Sequence, residues 1–354
     1  MATPSLAEQV KSDIRGLQSS LQDLQRRVRM SDIRDNVEDL QTSVSGMDRR
    51  IESLRERGYA FERDLEEKAA DFVEQWDEIA PNLNTQIEKE ARSLQNLLRP
   101  LDREITQLAA TSGAPAALRP MASKLKSRID AMESRVEAAE QSIRGGYDQF
   151  SGDVQKVKSH LYKLEQMLEK FDEATFDLLA TEAGIMAVKA VWAKDGKERK
   201  DDPEGVLYLT DQRLLFEQKE KIATKKVLFV ATEKKLVQKL LWEAPIALIK
   251  ETKASKEGFM NKDDFIEVGC ESDAPFDTVY LHIWQSGDDW KTLFKRAKAK
   301  EFDATRAIKI DEELAAKVKS APTQCASCGG VFNQVVLRGM ESITCEYCGA
   351  IIRL

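Results

Sequence analysis

Residues 121–171 read MASKLKSRIDAMESRVEAAEQSIRGGYDQFSGDVQKVKSHLYKLEQMLEKF, and their apolar side chains recur at a regular spacing. After a first step of four residues, the apolar positions alternate between three and four residues apart as far as Phe171. This is a heptad repeat with apolar a and d positions, which predicts a long helix packed along a partner helix. The phase continues through Gly145 and Gly146, so the sequence predicts one helix rather than a hairpin there.

The same spacing occurs in two earlier seams, Val10–Val28 and Ile33–Leu54. The step between Val28 and Ile33 is five residues, which fits either a stutter within one helix or a short hinge. A later seam contains Pro81 and Pro100, where a helix is expected to kink or restart. The stretch 111–120, rich in Gly and Pro, predicts a hairpin turn. Residues 5–181 are therefore predicted to form an α-helical coiled coil.

The position of this turn has a geometric consequence for the N-terminal seams. If the chain reverses near residue 115, residues 10–54 extend about 65–70 Å beyond the hairpin, at about 1.5 Å per residue. An unpaired apolar seam is unfavourable in water, so self-association through residues 10–54 is predicted. The alternative is a monomeric three-helix bundle folded at Pro81 and near residue 115.

Charge and composition exclude several classes of protein. Residues 1–180 hold 26 basic and 33 acidic side chains, and residues 181–354 hold 28 of each. This balance argues against nucleic-acid binding, which requires a net basic surface. No apolar run approaches a membrane span, and no signal sequence is evident, so a cytoplasmic protein is expected. With two histidines and no phosphate-binding or nucleophile motif, the chain is not expected to be an enzyme.

The apolar period changes to about two residues after Glu182, and about seven strands followed by one helix are predicted for residues 182–302. Within them, residues 205–216 read GVLYLTDQRLLF. This run resembles the strand–turn–strand motif of GRAM and bacterial PH-like domains. The resemblance implies a small β-barrel with a C-terminal helix, a fold used to bind lipid headgroups or protein partners. The overall fold class is thus multidomain α + β.

Two groups of cations are candidate lipid-binding residues in this domain. The resemblance places phosphoinositide binding in the loop after the first strand, which contains Lys194, Lys197 and Arg199. Several acidic residues among them also fit an ordinary solvated loop. The second group is Lys219, Lys221, Lys225 and Lys226. These lysines could attract an anionic membrane, or they could only protect an edge strand from aggregation. Cys270 is expected to be a core thiol, and His282 a packed or surface histidine.

The C-terminal residues contain the most specific motif. After a linker at residues 303–321, residues 322–354 include two CxxC pairs, each followed by glycine: Cys325, Cys328, Cys345 and Cys348. This spacing is typical of a four-thiolate Zn²⁺ site, and the segment resembles a zinc ribbon. A segment this short buries too small a hydrophobic core to fold alone. A structural zinc ion is therefore expected. A disulfide or thioredoxin-like role is disfavoured, and an iron–sulfur cluster is the remaining alternative.

The sequence leaves two functional hypotheses. One is an oligomeric, non-enzymatic scaffold that contacts anionic membranes through its PH-like domain and docks proteins through the ribbon. The other is a purely protein-binding cytosolic adaptor without lipid contact. The positions of the two cationic groups distinguish the hypotheses, because a membrane surface requires both groups on one rim of the domain.

Overall fold

The computed structural model describes residues 4–227, 230–258 and 262–354, and the side chains of these residues except 222–234. The chain divides into two compact units. The first comprises Met1–Asp48 and Glu67–His160, and the second comprises Arg49–Glu66 and Leu161–Leu354. None of the described helices combines the length and apolar character that crossing a bilayer requires.

Six helices form the N-terminal part of the chain: α1 Leu6–Arg27, α2 Ser31–Ser45, α3 Met47–Glu56, α4 Leu65–Ala110, α5 Pro115–Gly145 and α6 Asp148–Asp172. A capping box starts α1, because the Ser5 hydroxyl accepts from the Glu8 N–H and the Glu8 carboxylate accepts from the Ser5 N–H. A helix-rich N-terminal part agrees with the heptad pattern. Between α1 and α2, Met30 has a φ of 55°, so the five-residue step is a break between helices, as the hinge alternative proposed.

Two expectations about helix continuity are corrected. Helix α4 runs through Pro81 and Pro100 without interruption. The reversal at Pro81 that the bundle alternative assumed is therefore wrong, whereas a break between helices does lie near residue 115, between α4 and α5. The single helix expected over residues 121–171 is divided between α5 and α6. At the division, the Gly146 N–H donates to the Ile143 carbonyl and the Tyr147 N–H to the Arg144 carbonyl, which is one tightened turn. Gly146 keeps helical backbone angles, so the apolar phase continues across the turn.

The N-terminal seam up to residue 48 belongs to the first unit, and most of its apolar side chains are buried there. Val10, Leu24 and Val44 are each at most 3% exposed. The contacts are antiparallel, since Gln25 donates to Asp102, and the Trp76 indole N–H donates to Gln41. Arg27 also donates two hydrogen bonds to the Glu140 carboxylate. The predicted unpaired arm is therefore wrong, because helices of the same chain already cover its apolar face.

Sequence analysis missed the turn that makes this packing possible. The chain leaves α3 at Glu56 and enters α4 at Leu65, and Gly58 and Glu62 in the connection both have positive φ angles, of 87° and 55°. In the second unit this connection packs on residues 302–308. The Phe61 and Phe302 rings lie 5.4 Å apart, and the Ala307 N–H donates to the Ala60 carbonyl at 2.7 Å.

The second unit contains a seven-stranded antiparallel sheet in the order β4-β3-β2-β1-β7-β6-β5. Its strands are β1 Gly184–Trp192, β2 Glu204–Thr210, β3 Arg213–Val227, β4 Val230–Pro245, β5 Ile249–Glu257, β6 Asp263–Cys270 and β7 Thr278–Ile283. The number of strands agrees with the sequence pattern. Strands β3 and β4 are the longest of the sheet and pair with each other from Arg213 with Pro245 to Val227 with Val230.

Two further α-helices and two short strands follow the sheet in the described part of the chain. Helix α7, Gly287–Lys298, packs on β5 and β6 and begins with a hydrogen bond from the Asp289 N–H to the Ser286 hydroxyl. Its Trp290 and Phe294 are buried, which explains the helical spacing of these aromatic residues. Helix α8, Glu312–Lys319, lies in the predicted linker, and β8 Ser342–Thr344 pairs with β9 Ile351–Arg353.

A buried carboxylate connects the sheet to the segment after α6. Glu217 on β3 is 0% exposed. It accepts hydrogen bonds from the Thr175 N–H and hydroxyl at 2.7 and 2.6 Å, from the Tyr208 hydroxyl at 3.2 Å, and from Gln238 at 3.1 Å. The Phe171 and Phe176 rings both lie 5.0 Å from the Tyr208 ring. Residues 171–176 are thus held on the sheet surface by aromatic contacts and by hydrogen bonds to a buried carboxylate.

Candidate metal centre and cationic surface

The four cysteines of the C-terminal motif converge on one point. All four Sγ atoms lie within 4.8 Å of one another, with Cys325 Sγ 3.7 Å from Cys348 Sγ and Cys328 Sγ 3.6 Å from Cys345 Sγ. These separations exceed the S–S bond of about 2.05 Å in a disulfide. Around an ion bound tetrahedrally at about 2.3 Å per sulfur, the sulfur atoms stand roughly 3.8 Å apart. The cluster therefore fits a four-thiolate metal ion.

The two CxxC pairs use the same local backbone structure. The Gly329 N–H donates to the Cys325 carbonyl, and the Gly349 N–H donates to the Cys345 carbonyl, each at 2.8 Å. Both glycines have positive φ angles, of 73° and 72°, which residues other than glycine rarely adopt. Each turn points backbone N–H groups at a sulfur atom, and those of Cys328 and Ser327 lower the pKa of Cys325 to about 6. The Cys325 thiolate, the form that binds metals, is favoured in this way. Backbone N–H groups act in the same direction on Cys328 and Cys348, but burial and hydrogen bonds with neighbouring cysteine side chains raise the pKa of both thiols.

The segment that contains this cluster, residues 322–354, will be called the Cys segment, and it contacts the turn between β2 and β3. Arg338 and Gln212 form two reciprocal hydrogen bonds: the Arg338 N–H donates to Gln212 Oε1 at 2.7 Å, and Gln212 Nε2 donates to the Arg338 carbonyl at 2.9 Å. Next to them, Gly339 lies very close to Ala180. A Cβ atom added to residue 339 would lie 2.6 Å from the backbone N and O atoms of Ala180. Glycine is required at this contact.

Asp211 in the same turn binds two arginines from distant parts of the chain. Its carboxylate accepts from Arg306 at 2.6 Å and also from Arg338. The Asp211 and Arg306 side chains are each 4% exposed. Burial raises the pKa of the Asp211 carboxyl, while its hydrogen bond from the Ala183 N–H and the two guanidinium groups act in the opposite direction. The arrangement places a buried ion-pair cluster between the sheet, the linker and the Cys segment.

A second buried ion pair lies beside the first. The Arg213 guanidinium contacts Glu182 at 2.6 Å and Glu243 at 2.6 Å, and the Arg213 and Glu182 side chains are 7% and 0% exposed. The Thr210 hydroxyl donates to Glu182 and accepts from the Gln212 and Arg213 N–H groups. Residues 210–213, which sequence analysis used only to indicate the fold, therefore hold neighbouring segments together. No sequence signal identified Arg306 or Arg338 as their partners, because these residues are about 95 and 125 positions away.

The first cationic group lies in the loop between β1 and β2, residues 193–203. Lys194 stands over the Trp192 ring at 5.3 Å, and Arg199 pairs with Asp195 at 2.7 Å. Lys197 is exposed. In the same region, Glu198 contacts the Nδ1 atom of His282 at 2.6 Å, and the His282 ring stacks between Phe265 and Trp284. His282 is thus packed among aromatic side chains, as one sequence alternative proposed.

The second cationic group lies on the hairpin of β3 and β4. Lys219 pairs with Glu173 at 2.6 Å, and Lys221 is exposed. Lys225 and Lys226 lie on β3, but their side chains are outside the described part of the structure. On the opposite strand Lys235 and Lys239 are exposed, and Leu236 is 51% exposed.

Strand register brings these two groups to one end of the sheet, which will be called the cationic end. Val191 pairs with Glu204 across β1 and β2, and Gly205 pairs with Gln218 across β2 and β3. The loop at 193–203 and the part of the hairpin beyond Gln218 therefore leave the sheet on the same side. The β2–β3 turn with Asp211 defines the opposite, turn end. Since β2 has 7 residues, the two ends lie roughly 20 Å apart at about 3.3 Å per residue.

The fifth cysteine stands apart from the metal centre. Cys270, at the end of β6, is a free thiol with intermediate exposure. Burial raises its pKa to about 11, with the nearby Asp277 and Glu271 carboxylates acting in the same direction. A thiol with a raised pKa is a poor nucleophile at neutral pH. Cys270 is half-buried and does not belong to the buried core, so the prediction of a core thiol is wrong.

Comparisons with known proteins give no family for this chain. No protein-family model and no curated protein matches it. A search of solved structures found the crystal structure of the DH/PH domains of p115-RhoGEF, at 14% identity and a TM-score of 0.21, covering 84% of this chain and 95% of that one. It also found the complex of the PDZ-RhoGEF DH/PH domains with GTP-gamma-S activated RhoA, at 12% identity and a TM-score of 0.27, covering 82% and 95%. Because both TM-scores are low, this similarity does not show that the chain shares the fold or the function of these proteins.

Proposed function

We propose that this chain is a non-enzymatic adaptor whose PH-like domain, residues 182–302, binds anionic membrane surfaces through the cationic end of its sheet. The observation that carries the proposal is the strand register, since it brings two cationic segments that are separate in sequence to the same end of the sheet. A flat anionic surface can be contacted by both segments at once only if they share one rim.

The assignment of a PH-like fold has two supports. The strand order and the helix after the last strand agree with a small barrel that a C-terminal helix closes. The GRAM-like run at residues 205–216 forms β2, the following turn and the start of β3. The order is one in which neighbouring strands are mostly consecutive in sequence, as expected for antiparallel meanders. The helical residues 5–181 are proposed as a coiled-coil domain, and residues 303–321 as the linker.

The charge of the hairpin supports the membrane as its ligand. Residues 219–239 contain seven lysines and two glutamates. Between the lysines on the two strands, the sequence reads Val227-Leu228-Phe229-Val230. An apolar group flanked by cations is the combination that associates with the interface of an anionic bilayer. Each lysine near such a surface contributes about 1 kcal/mol, and residues 219–239 carry an excess of five positive charges.

The buried seam changes the scaffold hypothesis. Self-association through residues 10–54 was expected because the seam lacked a partner, and that seam is now covered within the chain. We therefore propose an adaptor that reaches the membrane as a single chain. The bound metal is proposed to be Zn²⁺ in a ribbon-like Cys segment, since four protein thiolates in tetrahedral spacing leave no open coordination position and suit structural zinc.

Flotation with liposomes tests the membrane proposal. The full chain is mixed with neutral vesicles or with vesicles containing an anionic phospholipid, at low and at physiological salt. We expect binding only to the anionic vesicles, weakened by salt. The variant with Lys219, Lys221, Lys225 and Lys226 changed to Glu is expected to lose affinity on the order of a hundredfold or more. A matched control changes four exposed lysines outside the hairpin to Glu: Lys291, Lys295, Lys309 and Lys317.

The second candidate function is a purely protein-binding adaptor, and one observation favours it. Several cations at the cationic end already have carboxylate partners, including Arg199 with Asp195 and Lys219 with Glu173. These pairs reduce the field that a membrane would experience. If wild type and the hairpin variant float equally with anionic vesicles, or if neither floats, the membrane proposal is wrong and the protein-binding adaptor takes its place.

A further inference from the structure

A partly open cleft of about 410 Å³ lies at the turn end of the sheet, away from the cationic end. The β2–β3 turn and the residues after β4 form one side of it. The end of α7, the linker with α8 and residues 335–338 of the Cys segment form the others. The larger apolar side chains of its lining are Ile246, Ile310, Val318, Val335, Val336 and Leu337.

Most of this apolar surface is left partly exposed by the fold. Ile246 is 3% exposed, whereas Ile310, Val318 and Val335 to Leu337 are only half-buried. The volume lies within the range of about 300–1,000 Å³ that is usual for ligand-binding clefts. A concave apolar surface of this kind favours an occupant that supplies apolar groups.

The polar groups in the cleft have their partners within the protein. Asp211 binds Arg306 and Arg338, and the Gln212 side chain is bonded to the Arg338 backbone. They are therefore not available to orient a small polar ligand. Recognition inside the cleft must come from apolar contact, and specificity must come from its rim.

The rim has an excess of positive charge. Lys298, Lys300 and Lys319 line the cleft and are exposed, and Asp303 is the acidic side chain among its lining residues that has no ion-pair partner in the described part of the chain. Lys298 donates to the Ile249 carbonyl but keeps its charge. Since Asp211 is already neutralised by two guanidinium groups, the rim presents about two net positive charges to an occupant.

We propose that this cleft docks a segment of a partner protein that has apolar side chains flanked by Asp or Glu. The apolar side chains contact Val336, Leu337 and Val318, and the flanking carboxylates lie near Lys300 and Lys319. This site goes beyond the proposed membrane contact, and it uses none of the residues of the cationic end. A failure of the flotation experiment leaves it unaffected.

One side of the cleft exists only when the Cys segment is folded and docked. Residues 335–338 lie between the two CxxC pairs, and Arg338 connects them to Gln212 and Asp211. The cysteine cluster must therefore be intact for Val335, Val336 and Leu337 to reach their positions. Partner binding at this site is expected to require the metal, although the metal itself does not touch the partner.

The experiment is a selection of random linear peptides displayed on phage against the zinc-loaded full chain, followed by affinity measurements on synthetic peptides. We expect the selected peptides to combine Asp or Glu with aliphatic or aromatic residues. Their affinity is expected to fall about tenfold or more in Val336→Asp, which introduces a charge at the centre of the cleft. The double variant Lys300→Glu with Lys319→Glu is expected to weaken them as well.

Matched controls distinguish docking from general loss of structure. Ile351→Asp introduces the same charge at a site on β9 that is 70% exposed and does not line the cleft. Lys295→Glu with Lys317→Glu reverses two exposed lysines on α7 and α8 that also lie outside the lining. Both controls are expected to bind like wild type, and chelation of the metal is expected to abolish binding. Selected peptides that are basic, or whose affinity is equal in Val336→Asp and Ile351→Asp, would overturn the proposal.

Discussion

The two ends of the sheet contain similar charged residues in opposite environments. At the turn end, the Asp211 and Arg306 side chains are 4% exposed and contact each other at 2.6 Å. At the cationic end, the Arg199 and Asp195 side chains are 66% and 60% exposed although they contact each other at 2.7 Å. The contact distances are nearly the same, so distance alone does not tell which ion pair matters for stability. The difference in burial decides which of the two ion pairs contributes more to stability.

The difference in burial gives the ion pairs at the two ends different effects on stability. An exposed ion pair contributes about 0–1 kcal/mol, because water screens it and its side chains remain mobile. Removing one partner of a buried pair costs about 3–5 kcal/mol, because a charge is left without compensation. The turn end therefore determines how the Cys segment and the linker are held. The cationic end keeps charged side chains that are exposed to solvent.

The largest expected effect in this comparison follows from loss of the metal centre. We expect Cys345→Ser to release the metal and unfold the Cys segment, since structural zinc contributes about 10–16 kcal/mol in zinc-finger peptides. Hydrogen exchange of residues 325–353 is expected to become fast, while the strands of the sheet remain protected. Metal content by mass spectrometry and exchange by the same method check both parts of this expectation.

Cys270→Ser is the control for the metal experiment, because Cys270 is a free thiol outside the four-cysteine cluster. It is expected to keep one metal ion per chain and the exchange pattern of wild type. Full metal content in Cys345→Ser would contradict the assignment of Cys345 as a ligand. Unchanged exchange in that variant would show that the Cys segment is stable without the cluster.

The second effect concerns the buried charge cluster of the turn end. Asp211→Asn leaves Arg306 and Arg338 without their shared carboxylate, and the free energy of unfolding is expected to fall by about 3–5 kcal/mol. For a unit of this size the melting temperature falls on the order of 10 °C. Asp303→Asn, at a half-buried carboxylate nearby, is the control and is expected to change little. Equal melting temperatures in the two variants would contradict the importance of the buried cluster.

A milder variant separates the two arginines. Arg338→Gln removes the guanidinium contacts of the Cys segment with Asp211 and Thr181, and it leaves the Asp211–Arg306 pair and the backbone hydrogen bonds of residue 338 with Gln212 in place. We expect a smaller loss of stability than in Asp211→Asn, together with faster exchange in the Cys segment. If the sheet and the Cys segment lose protection to the same degree, the contact is not the specific connection between them.

The elements that the sequence predicted well are those with periodic burial. The heptad seams and the two-residue alternation after Glu182 correspond to buried faces of helices and strands. The pattern of apolar residues can therefore be recognised within a short stretch of sequence. The four cysteines were predicted for a similar reason, because a CxxC pair is a local turn. Pro81 and Pro100 misled the prediction, since α4 accommodates both in a helix whose other contacts outweigh the lost hydrogen bonds.

The parts that the sequence could not predict depend on contacts between distant residues. The reversal at residues 57–64 was missed because Gly58 was the only local signal, and the two prolines gave a stronger false one. Arg338 was noted only for its charge, although its backbone and side chain both contact the β2–β3 turn. Such pairings leave no periodic pattern, because each involves single residues from separate elements.

The smallest effect is expected at the cationic end and completes the comparison. Arg199→Ala removes an exposed ion pair with Asp195, so the free energy of unfolding is expected to change by about 0–1 kcal/mol. Flotation with anionic vesicles is expected to weaken slightly, by less than in the variant with four lysine reversals. Arg26→Ala, which removes a similar exposed pair with Asp23 on α1, is the control and is expected to change neither quantity. A loss of stability in Arg199→Ala as large as in Asp211→Asn would mean that burial is not what distinguishes the two ends.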